Sequence, residues 1–107
     1  MTNSTLNRSV VLIVDDHPDT LRLLIDALEE AGVTVLIATN GKRALEQVKH
    51  LLPDLILLDA VMSGMDGFQT CRVLKSGVAA DVPVIFMTGL EETEHIVRGL
   101  EAGGIDY

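Results

Sequence analysis

Apolar positions along this chain follow two rhythms in turn. Residues 9–14 contain an unbroken run, Val10-Val11-Leu12-Ile13-Val14, whose β-branched content fits a strand buried on both faces. Pro18 then stands at a natural first helical position, and Leu21, Leu24, Ile25 and Leu28 follow with the spacing of one helix face. Gly32 is placed to close that helix. Residues 33–38 repeat the strand pattern. Asn40 can cap a second helix running to Lys49, with Ala44, Leu45 and Val48 on its inner side. Pro53 breaks the chain before a third strand, 54–58, that ends at Asp59. A loop rich in Gly, Ser and Met leads to Asp66-Gly67 and a helix carrying Phe68, Cys71 and Leu74. A fourth strand, 83–87, ends at Thr88-Gly89. Residues 91–101 read as a fourth helix, acidic in its first turn and with Arg98 late, which matches the helix dipole. After Gly103-Gly104, Ile105-Asp106-Tyr107 has the pattern of a fifth strand beginning.

Strands alternating with helices imply an α/β fold: βαβ units and a doubly wound, mainly parallel sheet covered on both faces. Open sheets of this kind hold their ligands at the carboxyl ends of the strands. With 107 residues, 48% of them apolar, the chain has room for one domain with a real core, spanning 9–107 behind a polar tail at 1–8. The net charge of −8 argues against direct contact with nucleic acid or an anionic membrane. One cysteine excludes an internal disulfide and a four-cysteine zinc site. The apolar runs fall far short of the roughly 20 residues of a membrane helix. The first of them ends in Asp15-Asp16 and not in a signal-peptide cleavage site, so the expected location is cytoplasmic.

The strand ends carry the candidate chemistry. If the first and third strands are neighbours, Asp15, Asp16 and Asp59 converge in one crevice, where raised pKa values or a bound cation must relieve their repulsion. An all-oxygen set, with no His or Cys placed to join it, suits Mg2+ better than zinc. A carboxylate beside such an ion can attack a phosphoryl group, while the ion offsets charge on the transferring oxygens. The Thr88 hydroxyl and the backbone N–H groups of Ala60 and Gly89 are available to the remaining phosphate oxygens. Plainer readings stand beside each of these. Paired acids after a strand often form only a solvated turn, and Asp59 or Thr88 alone could be a simple cap. Met62 and Met65 read as loop packing, Cys71 as inert core, and His17, His50 and His95 as surface residues without metal-ligand spacing.

Four ordered stretches resemble the receiver (response-regulator) domain of bacterial two-component signalling. They are Val11-Leu12-Ile13-Val14-Asp15-Asp16; Leu57-Leu58-Asp59-Ala60-Val61-Met62 with Met65-Asp66-Gly67; Ile85-Phe86-Met87-Thr88-Gly89; and Glu101-Ala102-Gly103-Gly104-Ile105-Asp106-Tyr107. The resemblance implies a flavodoxin-like sheet of strand order 2-1-3-4-5. It implies that Asp59 accepts a phosphoryl group from a phosphohistidine of a sensor histidine kinase or phosphotransfer protein. Mg2+ would be held by Asp16, Asp59 and the Val61 carbonyl, with Asp15 acting mainly through water. Thr88 would contact the phosphoryl oxygens and move on activation, and Tyr107 would be the aromatic that swings inward with it.

Two departures from the family pattern stand out. Ser63 takes the place of the usual proline, and nothing follows Tyr107, where the family carries a phosphate-pairing lysine and a fifth helix. The expectation is therefore a receiver domain truncated within its fifth strand, exposing apolar surface that drives self-association and weakening phosphorylation. A phosphatase of the haloacid-dehalogenase type is disfavoured because its second Asp would fall at Val61. A flavin module is disfavoured because Asp15-Asp16 would repel its phosphate. No nucleotide-binding glycine motif is present. A receiver that works only as an interaction platform, without phosphorylation, is the alternative.

Overall fold

The computed structural model describes residues 9–60, 62 and 67–87. Within them the elements alternate as β1 (Val10–Val14), α1 (Pro18–Glu30), β2 (Thr34–Ala38), α2 (Gly41–His50), β3 (Leu55–Asp59), α3 (Gly67–Lys75) and β4 (Val84–Met87). All pairings are parallel, and the strand order is β2-β1-β3-β4. This is the order expected from the sequence as far as β4. The expected helix at 91–101 and the fifth strand lie outside the described residues.

Strand alternation divides the core into two layers. Val11 and Ile13 of β1 and Leu55 and Leu57 of β3 pack with Leu24, Ala27 and Leu28 of α1. Leu12, Val14, Ile56 and Leu58 point the other way, toward Ala44 and Val48 of α2 and Leu74 of α3. Because β1 and β3 are covered on both faces, their sequences are continuous apolar runs and not alternating ones. Strands β2 and β4, the outer ones among the described residues, are half-buried over most of their length.

Helix ends follow local chemistry. Asn40 Oδ1 accepts from the Arg43 N–H at 2.8 Å, capping α2. At the far end of α1, Gly32 takes φ +85°, and the Gly32 and Val33 N–H groups return to the carbonyls of Glu29 and Leu28 at 3.0 and 2.9 Å. That double return is a Schellman turn, and Val33 and Leu28 meet in the core behind it. The amino ends of β1 and β3 are clamped together: the Val10 N–H donates to Asp54 Oδ2, and the Asp54 N–H to the Val10 carbonyl, each at 2.7 Å. The register fixed there carries through to the carboxyl ends.

Helix α3 departs from its expected face. Gly67, Thr70 and Leu74 are the buried positions, Cys71 is half-buried, and Phe68 is 56% exposed. Phe68 instead lies against Phe86 of β4, with ring centroids 4.9 Å apart. An aromatic side chain is long enough to reach sideways along the sheet and need not point into the core. Met62 is buried with the α2 and α3 layer, as loop packing requires.

Candidate functional site

The parallel register places Val14 beside Leu58, so the next residue on each strand, Asp15 and Asp59, falls at the same level of the sheet. The Asp15 N–H donates to the Ala38 carbonyl at 3.1 Å, which extends the β1–β2 ladder by one step and fixes the backbone there. Asp15 and Asp59 are both buried polar residues, whereas the Asp16 side chain keeps 29% exposure.

The residue that gathers these acids is His17. Pro18 restricts its predecessor to extended backbone, and His17 sits at φ −101°, ψ 113°. Asp15 Oδ1 accepts from the His17 backbone N–H at 2.8 Å and pairs with its Nδ1, also at 2.8 Å. The same Nδ1 lies 3.1 Å from Asp16 Oδ1 and 3.2 Å from Asp59 Oδ2. Ligand atoms of Asp15, Asp16, His17 and Asp59 all fall within 4.8 Å of one another. The hydrogen bond and charge of Asp15, helped by the charges of Asp16 and Asp59 and opposed by partial desolvation, raise the His17 pKa above its ordinary value. Protonated, the ring serves as an internal cation for the carboxylates.

Two expectations change here. His17 is 61% exposed, as a surface residue should be, yet its ring nitrogen joins the acid cluster, so the set is not all-oxygen. The Ala60 N–H does not face the pocket. It donates to the Met87 carbonyl at 3.1 Å, because the β3–β4 ladder continues one residue past Asp59 and takes that donor. Val61, Thr88, Gly89 and Tyr107 lie outside the described residues, as do Ser63, Met65 and His95.

Gly67 supports Asp59 from below. Its N–H donates to the Ala60 carbonyl at 3.2 Å, and a Cβ at this position would lie 2.2 Å from the Asp59 carbonyl oxygen and 2.7 Å from Ala60 Cα. No side chain fits between the start of α3 and the end of β3. Asp66-Gly67 marked the start of a helix in the sequence, but a close approach of backbones 8 or so residues apart leaves no periodic signal. His17 did leave one: it lies directly between the acid pair and a helix-starting proline, within reach of the same strand end.

The donor set fits a hard divalent ion. Its carboxylates come from two adjacent strand ends, and the His17 ring nitrogen rests where they converge. Comparison with known proteins gives this geometry a family. The response regulator receiver domain matches residues 11–107. The chain belongs to that family. Receiver domains are signalling modules of two-component systems, work with sensor kinases or phosphotransfer proteins, and typically bind Mg2+ in an acidic pocket.

Among similar proteins, the DNA-binding response regulator MtrA of Mycolicibacterium smegmatis is 38% identical over 100 residues, covering 94% of this chain and 43% of MtrA. The response regulator PleD of Caulobacter vibrioides is 40% identical over 98 residues, covering 91% of this chain and 22% of PleD. The chain therefore spans less than half the length of these relatives. Among solved structures, the N-terminal domain of a response regulator receiver protein from Methanoculleus marisnigri has a TM-score of 0.72 at 33% identity, covering 82% of this chain and 76% of that one. The receiver domain of a histidine kinase from Syntrophus aciditrophicus has a TM-score of 0.71 at 37% identity, covering 92% and 75%. Among the described residues, no helix of this receiver domain is long and apolar enough to cross a membrane.

Proposed function

We propose that this receiver domain is a phosphoacceptor in which Asp59 takes a phosphoryl group from the phosphohistidine of a sensor histidine kinase or phosphotransfer protein. The observation that carries the reading is the meeting of Asp15, Asp16 and Asp59 at the carboxyl ends of β1 and β3. A carboxylate oxygen of Asp59 attacks phosphorus, the phosphorus–nitrogen bond of the donor breaks, and its electron pair returns to the donor imidazole. Asp16, Asp59 and the Val61 carbonyl would hold Mg2+, with Asp15 reaching it mainly through water, and the ion would supply positive charge to offset that building on the phosphoryl oxygens. Burial of Asp15 and Asp59 restrains their side chains and orients the accepting oxygen. Thr88 and the Gly89 N–H, directly after β4 in the sequence, receive the phosphoryl oxygens, and Thr88 and Tyr107 pass the change on.

The result is a switched interaction surface, cytoplasmic in setting, that governs an output domain, and not substrate turnover. The domain comprises residues 9–107, with 1–8 as a tail. Self-association belongs to the same proposal, supported by exposed Phe68, Val73 and Val78 on and after α3.

The test is intact-mass analysis after incubation with acetyl phosphate. A single added phosphoryl group at low occupancy is expected, dependent on a divalent ion and absent from Asp59→Asn. An unlabelled wild-type protein would favour the interaction platform instead.

A further inference from the structure

We infer that His17 is a ligand of the divalent ion, so that this pocket favours imidazole-binding ions such as Co2+ over Mg2+ more strongly than a carboxylate-only pocket would. The inference rests on the metal-binding reading above and adds a residue and a selectivity to it. It begins from spacing. Neighbouring donors around a six-coordinate ion of Mg2+ size, each about 2.1 Å from the centre, are about 3.0 Å apart. His17 Nδ1 lies 2.8, 3.1 and 3.2 Å from oxygens of Asp15, Asp16 and Asp59. Once the ion displaces the Nδ1 proton to solvent, the nitrogen holds donor spacing to all three carboxylates at once, as one member of a single coordination shell would.

The ring is also held in place by the backbone. His17 is the extended residue before Pro18, and its own N–H is bound by Asp15 Oδ1 at 2.8 Å. Little freedom remains to be lost when the nitrogen takes up an ion. The side chain is 61% exposed, so solvent reaches the ring. Carboxylates and water suit Mg2+ and Mn2+, whereas an imidazole nitrogen gains most with Co2+, Ni2+ and Zn2+. One nitrogen added to three carboxylates shifts the balance toward the second group.

The experiment is calorimetric titration of the protein with Mg2+ and, separately, with Co2+, together with the visible absorption spectrum of the Co2+ form. Wild type, His17→Ala and Asp16→Asn are compared. His17→Ala is expected to weaken Co2+ binding at least about tenfold, to change Mg2+ binding less than about threefold, and to alter the Co2+ spectrum. Asp16→Asn is expected to weaken both ions, which locates them in this pocket. Unchanged or tighter Co2+ binding in His17→Ala would overturn the inference, since the ring would then be only a counter-ion. Equal weakening of both ions would overturn the selectivity. A wild-type protein that binds neither ion would fail at an earlier step, contradicting the metal site itself.

Discussion

Asp15 does more than contribute charge. One of its oxygens binds both the backbone N–H and the ring nitrogen of His17, and that pair of contacts brings the ring over Asp16 and Asp59. The raised His17 pKa has a definite consequence in the metal-free protein. A group bound more tightly to its proton when folded adds stability below its unfolded pKa and loses that contribution as pH rises through the folded value. NMR titration of the metal-free protein should place the His17 midpoint above that of an ordinary histidine and bring it down in Asp15→Asn. The stability advantage of wild type over His17→Ala should shrink as pH rises through the raised midpoint, and it should be small, because the ring is 61% exposed. An unshifted midpoint would contradict the contacts. The acids were legible in the sequence because strand ends in a parallel sheet lie side by side. His17 stood in plain view between the acid pair and Pro18, but periodicity is silent about where a single ring turns at a strand–helix junction, so only its position and not its contacts could be read.

At the scale of elements, the site depends on how tightly α3 seats against β3. Gly67→Ala sets a Cβ against the Asp59 carbonyl and Ala60 Cα, both backbone atoms that cannot step aside. The substitution should cost about 1–3 kcal/mol in chemical denaturation and impair labelling of Asp59. Wild-type stability in that variant would show that the two backbones are not in contact. Asn40→Ala removes the bond to the Arg43 N–H at the start of α2 and should cost about 1 kcal/mol, without effect on the site. Strands and helices were readable because β1 and β3 are unbroken apolar runs and α1 and α2 keep a helical stripe, with boundaries displaced by about one residue where fraying decides them. Phe68 and the Ala60 N–H escaped for a shared reason. Each is satisfied by a partner on β4, Phe86 or Met87, and such contacts between elements distant in sequence are set by the fold and not by local pattern.

For the molecule as a whole, two layers on a parallel sheet leave its carboxyl edge as a place where acids from separate strands gather. Among the described residues, large apolar side chains left exposed include Phe68, Val73 and Val78, which is what supports the proposed association between copies. Light scattering at high protein concentration should give a mass above that of the monomer, and a stable monomer would contradict this. The most direct test of the whole account is an NMR titration of the protein with Mg2+ followed by beryllofluoride, a mimic of the phosphoryl group. The amides of Asp15, Asp16 and Asp59 should shift with Mg2+. Beryllofluoride should then move Asp59 again, only with Mg2+ present and not in Asp59→Asn. Resonances that ignore both additions would contradict a phosphoacceptor pocket at this edge of the sheet.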